Sequence, residues 1–309
     1  MALQLDATQL QAVRNLHNGC ILKGGVGSGK SVTALYYYWV REVGGGVQVN
    51  GQGAWKAARG PKDLYIFTTA KKRDSLEWQK ELSQFGLSPY EPTPQQDIKV
   101  TIDSWNNIDS YTEIQDAFVI FDEQRLVGSG AWVKAFYKIA KKNRWIVLSA
   151  TPGDTWMDYI PIFVANGFYK NRTEFIRRHV VYTNFTKFPK IDHFVEMAHL
   201  EKLRDAIIVD MPYERHTIRH IQNVLVGYDK DRFDRVWKER WNVYEDKPIK
   251  DIQQMFGLAR RVVNSDPDRS AALMQLMEKH PKLIIFYNFN YELEQLKVVG
   301  ISTMTHYAQ

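Results

Sequence analysis

Along this chain, short apolar runs alternate with longer stretches in which apolar residues recur every three or four positions, the two patterns that separate buried strands from amphipathic helices. The runs are residues 20–22 (CIL), 64–69 (LYIFTT), 98–102 (IKVTI), 117–121 (AFVIF) and 145–148 (WIVL). Helical patterns lie between and around them. Residues 3–17 are opened by Asp6 and carry Leu10, Val13 and Leu16 on one side; 31–40 (SVTALYYYWV) follows the first run, and another helix reaches about Phe85. A further one sets Trp132, Phe136 and Ile139, or Val133, Tyr137 and Ala140, at helical spacing. The tract 44–53 (GGGVQVNGQG) fits neither period and is expected to be a mobile loop. A wholly apolar run such as AFVIF marks a strand covered on both faces, so the alternation predicts an α/β fold, a parallel sheet flanked by helices.

Candidate chemistry collects where these runs end. GGVGSGKS, residues 24–31, fits G-x-x-x-x-G-K-[ST] and stands between a strand and a helix, the context a phosphate loop requires. Glycines without side chains let backbone N–H groups curl around the phosphates of ATP at a helix N-terminus. Gly24, Gly27 and Gly29 supply that freedom, and Gly25, Val26 and Ser28 complete the loop. Lys30 is expected to reach the β- and γ-phosphates, and the Ser31 hydroxyl to ligate Mg2+ between them. The bland alternative is a flexible Gly/Ser turn. The fourth run ends in Asp122-Glu123-Gln124-Arg125. Two adjacent acids at a strand end can be a mere turn; behind a phosphate loop they read as a magnesium-holding Asp122 and a Glu123 that orients and deprotonates the attacking water. The fifth run delivers Ser149-Ala150-Thr151-Pro152. Ligand crevices in open α/β sheets lie outside the carboxyl ends of strands, so these three segments are expected to converge.

Composition changes this picture little. At 309 residues, 44% hydrophobic and 25% charged, the chain has the make-up of an ordinary globular protein. Its 41 Lys and Arg against 35 Asp and Glu leave a formal charge of +6, compatible with a polyanionic partner. The single cysteine, Cys20, excludes an internal disulfide and fits a reducing compartment. No apolar run has the length of a membrane span, so no membrane partner and a cytoplasmic location are expected.

The phosphate loop, the acidic box DEQR and LSATP, in this order and spacing, resemble superfamily 2 helicases and translocases; the later chain looks most like the Swi/Snf-type branch found also in bacteriophage replication genes. The resemblance implies a complete RecA-like ATP-binding lobe over 1–160, a mainly helical intervening region over 161–280, and the start of a second RecA-like lobe over 281–309, where KLIIFYNFNYELEQL (282–296) matches a strand and helix. It implies that Gln9, about twenty residues before Lys30, reads the adenine edge, although a solvated helix glutamine is an equal alternative. TTAKKRD (68–74) and TIDSWNNI (101–108) match segments that touch a nucleic-acid backbone, making Thr69, Lys71, Lys72, Arg73, Ser104 and Trp105 the nucleic-acid candidates. Ser149, Ala150 and Thr151 match the element that couples hydrolysis to movement. The implied activity is ATP-dependent translocation or helicase action on single- or double-stranded DNA without sequence preference, with other replication proteins as partners and, for a phage gene, the host cytoplasm as location. Two departures stand out: Arg125 replaces a frequent histidine, and Gln309 lies only 28 residues after Pro281, so a second lobe bearing arginine fingers is expected to be incomplete.

Two rival readings stay open: a phage DNA-packaging ATPase, which should carry a nuclease with clustered acids that nothing after Lys282 resembles, and a non-catalytic nucleotide-dependent nucleic-acid-binding module. Elsewhere, Phe233, Val236, Trp237 and Trp241 form a stripe that reads as packing; Arg172, Arg177, Arg178 and His179, like Lys138, Lys141, Lys142 and Arg144, read as solvated or phosphate-facing clusters; His216 and His220 stand four apart without a third metal ligand.

Overall fold

The computed structural model describes residues 3–90, 97–122, 126, 128–183, 190–212, 220–280 and 282–300. The chain divides into two compact units, Met1–His216 and Thr217–Gln309.

In the first unit, helix α1 (Ala7–Asn15) starts at Asp6, whose carboxylate accepts the Gln9 N–H while the Gln9 side chain accepts the Asp6 N–H, a capping box. The helix does not extend back to residue 3 as its periodicity suggests. Leu3 instead bridges to Val49, and the Asn50 side chain binds both the N–H and the C=O of Leu5, at 3.0 and 2.7 Å. The glycine-rich tract is therefore tied down by ladder-like bonds, where its composition alone predicted mobility. Strand β1 (Ile21–Gly24) runs into the glycine loop and α2 (Lys30–Tyr37), which continues through one wide turn, Tyr38–Glu42. Strand β2 (Leu64–Thr68) leads to α3 (Ala70–Asp74) and α4 (Glu77–Ser83), separated by Leu76 in a left-handed conformation. Then follow β3 (Val100–Ser104), β4 (Phe118–Asp122), α5 (Ala131–Lys142), β5 (Arg144–Ser149), α6 (Trp156–Ala165) and α7 (Arg172–His179). An antiparallel pair, β6 (Val180–Thr183) and β7 (Lys190–Phe194), precedes α8 (Met197–Ile207) and β8 (Ile208–Met211).

The sheet order is β3-β2-β4-β5-β1-β8, and its pairs are all parallel. Alternation along the strands divides the core in two. Leu22, Ile66, Ile120 and Leu148 face α1, α2 and α4, while Phe67, Val119, Phe121 and Val147 face α5, α6 and α8. Buried aromatics dominate the second face: Phe136 stands edge-on to Phe121 at 5.0 Å and to Trp145 at 5.1 Å. Strand β8 lies within the stretch read from sequence as an intervening region, yet it pairs with β1 along its whole length. It carries the weakest sequence signal of the six, a four-residue run fused to the preceding helix.

The second unit holds α9 (Lys230–Trp237), the short antiparallel pair β9 (Trp241–Asn242) and β10 (Lys247–Pro248), α10 (Ile252–Asn264), α11 (Pro267–Lys279) and α12 (Asn290–Val298). Val236 packs on Met255, Ala259 and Val262 with Phe233 against them, so these two members of the stripe belong to a small core; Trp237, 41% exposed, stacks on Phe233, and Trp241 lies in β9. Residues 283–286 do not form the expected strand: Ile284 is 83% and Phe286 92% exposed, and no neighbouring strand among the described residues offers hydrogen bonds. No helix among the described residues is long and apolar enough to cross a membrane.

Candidate nucleotide site

Register aligns the candidate segments at one sheet edge. Asp122 pairs with Leu148 and Leu148 with Leu22, so the end of β4 is level with Leu22, two residues before the end of β1, across the single strand β5. Two strand spacings put them about 10 Å apart. The glycine loop and Ser149-Ala150-Thr151 leave the same edge from β1 and β5.

The loop itself is shaped by its glycines. Gly27 and Gly29 have φ of +81° and +78°, a region other residues enter at a cost. A side chain on Gly24 would come within 2.6 Å of the Ser28 oxygen, and one on Gly29 within 2.4 Å of Gln9 Nε2. Gly25 has open space around it. Lys30 folds its ammonium over the loop, donating to the carbonyls of Gly24 and Gly25 at 2.8 and 2.9 Å. The buried Ser28 hydroxyl has no hydrogen-bond partner among the described residues, and Ser31 is half-buried at the helix start. Val26 is exposed at the loop tip. Gln9 donates through Nε2 to Ser28 C=O at 3.0 Å while its Oε1 serves the α1 cap, so both ends of the amide hold the loop to the helix.

Asp122 is fully buried, which would be costly for a carboxylate without compensating donors. Its Oδ2 accepts from Thr68 Oγ1 at 2.9 Å and Trp78 Nε1 at 3.1 Å, and Lys72 Nζ lies 2.9 Å away. Trp105 Nε1 donates to the Asp122 carbonyl at 2.9 Å. Nothing in the sequence points to Trp78: an aromatic in a helical stretch reads as core, and it lies 44 residues from the acid it holds. Glu123, with Gln124 and Arg125, lies outside the described residues.

The nucleic-acid candidates separate. Trp105 is 2% and Ser104 3% exposed; the indole is core, and the serine caps the following turn by accepting the Asn106 N–H. Thr69 caps α3 by accepting the Lys72 N–H. Arg73 pairs with Asp74 at 2.8 Å and with Asp103 at 3.2 Å, and Lys72 turns inward to Asp122. Lys71 points to solvent. Burial would raise the Asp103 carboxyl, but hydrogen bonds from Tyr111, the Ser104 N–H, Asn107 and Arg73 outweigh it and hold it below the usual carboxylate range.

In the segment leaving β5, the Ser149 hydroxyl accepts the Thr151 N–H at 3.1 Å; Ala150 and Thr151 are exposed and border a cavity of about 620 Å3 with Lys23, Tyr159 and Arg204. The other basic clusters are partly spent on structure. Arg178 pairs with Glu196 and Arg144 with Glu42, while His179 is buried against the Tyr169 hydroxyl. His216 lies outside the described residues, among which no three metal-ligating side chains gather.

The donor set fits a magnesium nucleotide. Asp122 and Ser31 offer the hard oxygens this ion prefers, beside a loop that two Cβ atoms would fill.

No known family model and no curated protein matches the chain. Among solved structures, the Sulfolobus solfataricus SWI2/SNF2 ATPase core, in complex with dsDNA, is similar over 94% of this chain and 63% of its own, at 15% identity and a TM-score of 0.44. The Pyrococcus furiosus Hef helicase domain is similar over 57% of this chain and 40% of its own, at 17% identity and a TM-score of 0.36. The chain thus spans less than two thirds of either. These are likenesses of fold, and the α/β assignment rests on the sheet's own strand order and register.

Proposed function

We propose that this chain is an ATP-dependent nucleic-acid motor of the helicase or translocase kind, with ATP and Mg2+ at residues 24–31 and Asp122. The observation that carries the reading is the alignment of the glycine cradle with a buried, multiply bonded Asp122 across β5, whose own end bears Ser149 to Thr151. Lys30, now resting on two loop carbonyls, would exchange them for phosphate oxygens, a substitution of stronger acceptors for weaker ones. Ser31 and Asp122 would hold the cation, and Glu123 would take the proton of the attacking water. When held there by Ser31 and Asp122, Mg2+ would supply positive charge against the phosphates of the nucleotide. Ser149, Ala150 and Thr151, beside the cavity, would relay the nucleotide state. Gln9 would need to release the loop to read a base. DNA would be held through its phosphates, with Lys71 the exposed contact, and so with little sequence preference. A cytoplasmic replication setting belongs to the same proposal.

The test is hydrolysis with and without DNA. Turnover that DNA stimulates and Glu123→Gln abolishes, with nucleotide binding retained, supports an enzyme. Nucleotide binding without turnover in any DNA would support the non-catalytic module instead.

A further inference from the structure

Of the three consecutive cations in α3, one does something the other two do not. Lys71 is exposed and Arg73 is engaged by Asp74 and Asp103, but Lys72 runs inward, its side chain 15% exposed, to end 2.9 Å from Asp122 Oδ2. On the way the ammonium passes over the Trp78 ring, 5.5 Å from its centroid, and Trp78 donates to the same oxygen. Asp122 is also the carboxylate to which the proposed function gives the divalent cation.

Lys72 and a divalent cation thus meet at one carboxylate. Two positive groups cannot share it closely in a buried site, where like charges are poorly screened. We propose that Lys72 is a counter-ion shared between the nucleotide site and nucleic acid: it neutralises Asp122 when no divalent cation is there, and is handed to a DNA phosphate when Mg2+·nucleotide takes the carboxylate. The inference rests on the nucleotide-site reading above. Its geometry is favourable, because α3 is a single short helix capped by Thr69, and Lys71 beside Lys72 already faces solvent. An outward swing of one lysine side chain needs no backbone change. By linkage the coupling is reciprocal: DNA that captures Lys72 must tighten Mg2+·nucleotide by the same factor as the nucleotide tightens DNA.

Two measurements test it without relying on turnover. First, Mn2+ is titrated into the ADP-bound protein and free Mn2+ is followed by electron paramagnetic resonance. Lys72→Met keeps the aliphatic stem over Trp78 and removes the competing charge, so Mn2+ affinity should rise at least about tenfold. Lys71→Met should leave it unchanged. Second, in the unsubstituted protein, duplex DNA binding is measured against salt with and without Mg2+ and a non-hydrolysable ATP analogue. The log–log slope should steepen by about one phosphate contact when the nucleotide is present. Equal Mn2+ affinity in wild type and Lys72→Met, or a salt slope indifferent to nucleotide, overturns the inference while leaving the nucleotide site standing. Failure of ADP to bind the wild type would remove the site itself, and the inference with it.

Discussion

Three glycines of one loop should respond to alanine in three different ways, because the backbone demands something different at each. Gly25 has neither a positive φ nor any atom within 4 Å of a built Cβ. Gly25→Ala should therefore leave stability within about 0.5 kcal/mol of wild type, since the entropy of the unfolded chain slightly favours alanine. Gly27 is equally open but sits at φ +81°, so Gly27→Ala should cost the left-handed penalty alone, about 1 kcal/mol. Gly29 combines φ +78° with a Cβ that would lie 2.4 Å from Gln9 Nε2. The Gln9 side chain can move, but moving breaks its bond to Ser28 C=O and disturbs the one to Asp6 N–H. Two such bonds at about 1 kcal/mol each bring the Gly29→Ala cost to about 3 kcal/mol. In a unit spanning Met1–His216, these costs correspond to melting shifts of roughly 2–4 °C for Gly27→Ala and 6–12 °C for Gly29→Ala. Thermal unfolding followed by circular dichroism without nucleotide reads the order directly. Equal shifts at Gly27 and Gly29, or a Gly25→Ala shift as large as either, would refute the reasoning, for then the loop is not held by α1 as described.

Phe121→Ala, which removes a ring packed between Phe67, Trp105 and Phe136, should cost about 3–5 kcal/mol in chemical denaturation, and a loss under 1 kcal/mol would mean that the second core face collapses around the gap. Tyr111→Phe deletes a donor to the Asp103 carboxylate and should cost about 1 kcal/mol at neutral pH. Because the folded Asp103 titrates below its unfolded value, that stabilisation is present above about pH 4 and fades as pH falls through the folded value; a cost unchanged in denaturation series down to pH 3 would contradict the assignment. Lys71→Met should flatten the salt dependence of DNA binding by about one contact and leave nucleotide affinity alone, and an unaltered slope would remove Lys71 from the interface.

The α/β architecture was legible because the central strands of the sheet are apolar on both faces, a pattern that needs no tertiary knowledge, and the strand, glycine loop and helix of residues 21–37 were legible because their signals are local in sequence. What escaped was whatever depended on distant partners. The resemblance implies that Trp105 is a nucleic-acid contact, but its indole fills the core and serves the Asp122 carbonyl. The inward turn of Lys72 is invisible because the resemblance makes it a nucleic-acid contact and its partner Asp122 lies fifty residues away. Residues 3–5 suit a helix by composition and are drawn out of it by Gln48 and Asn50. Residues 283–286 suit a strand by composition, and a strand requires a neighbour to bond.

The central claim is that the glycine loop and Asp122 form one magnesium-nucleotide site. Calorimetric titration of ATP with Mg2+ into the wild type and Lys30→Ala tests it most directly. The wild type should bind one ATP per chain, and Lys30→Ala should bind at least about tenfold more weakly for want of the charge on the phosphates. Equal affinity in the two proteins, or no binding to the wild type, would contradict the account.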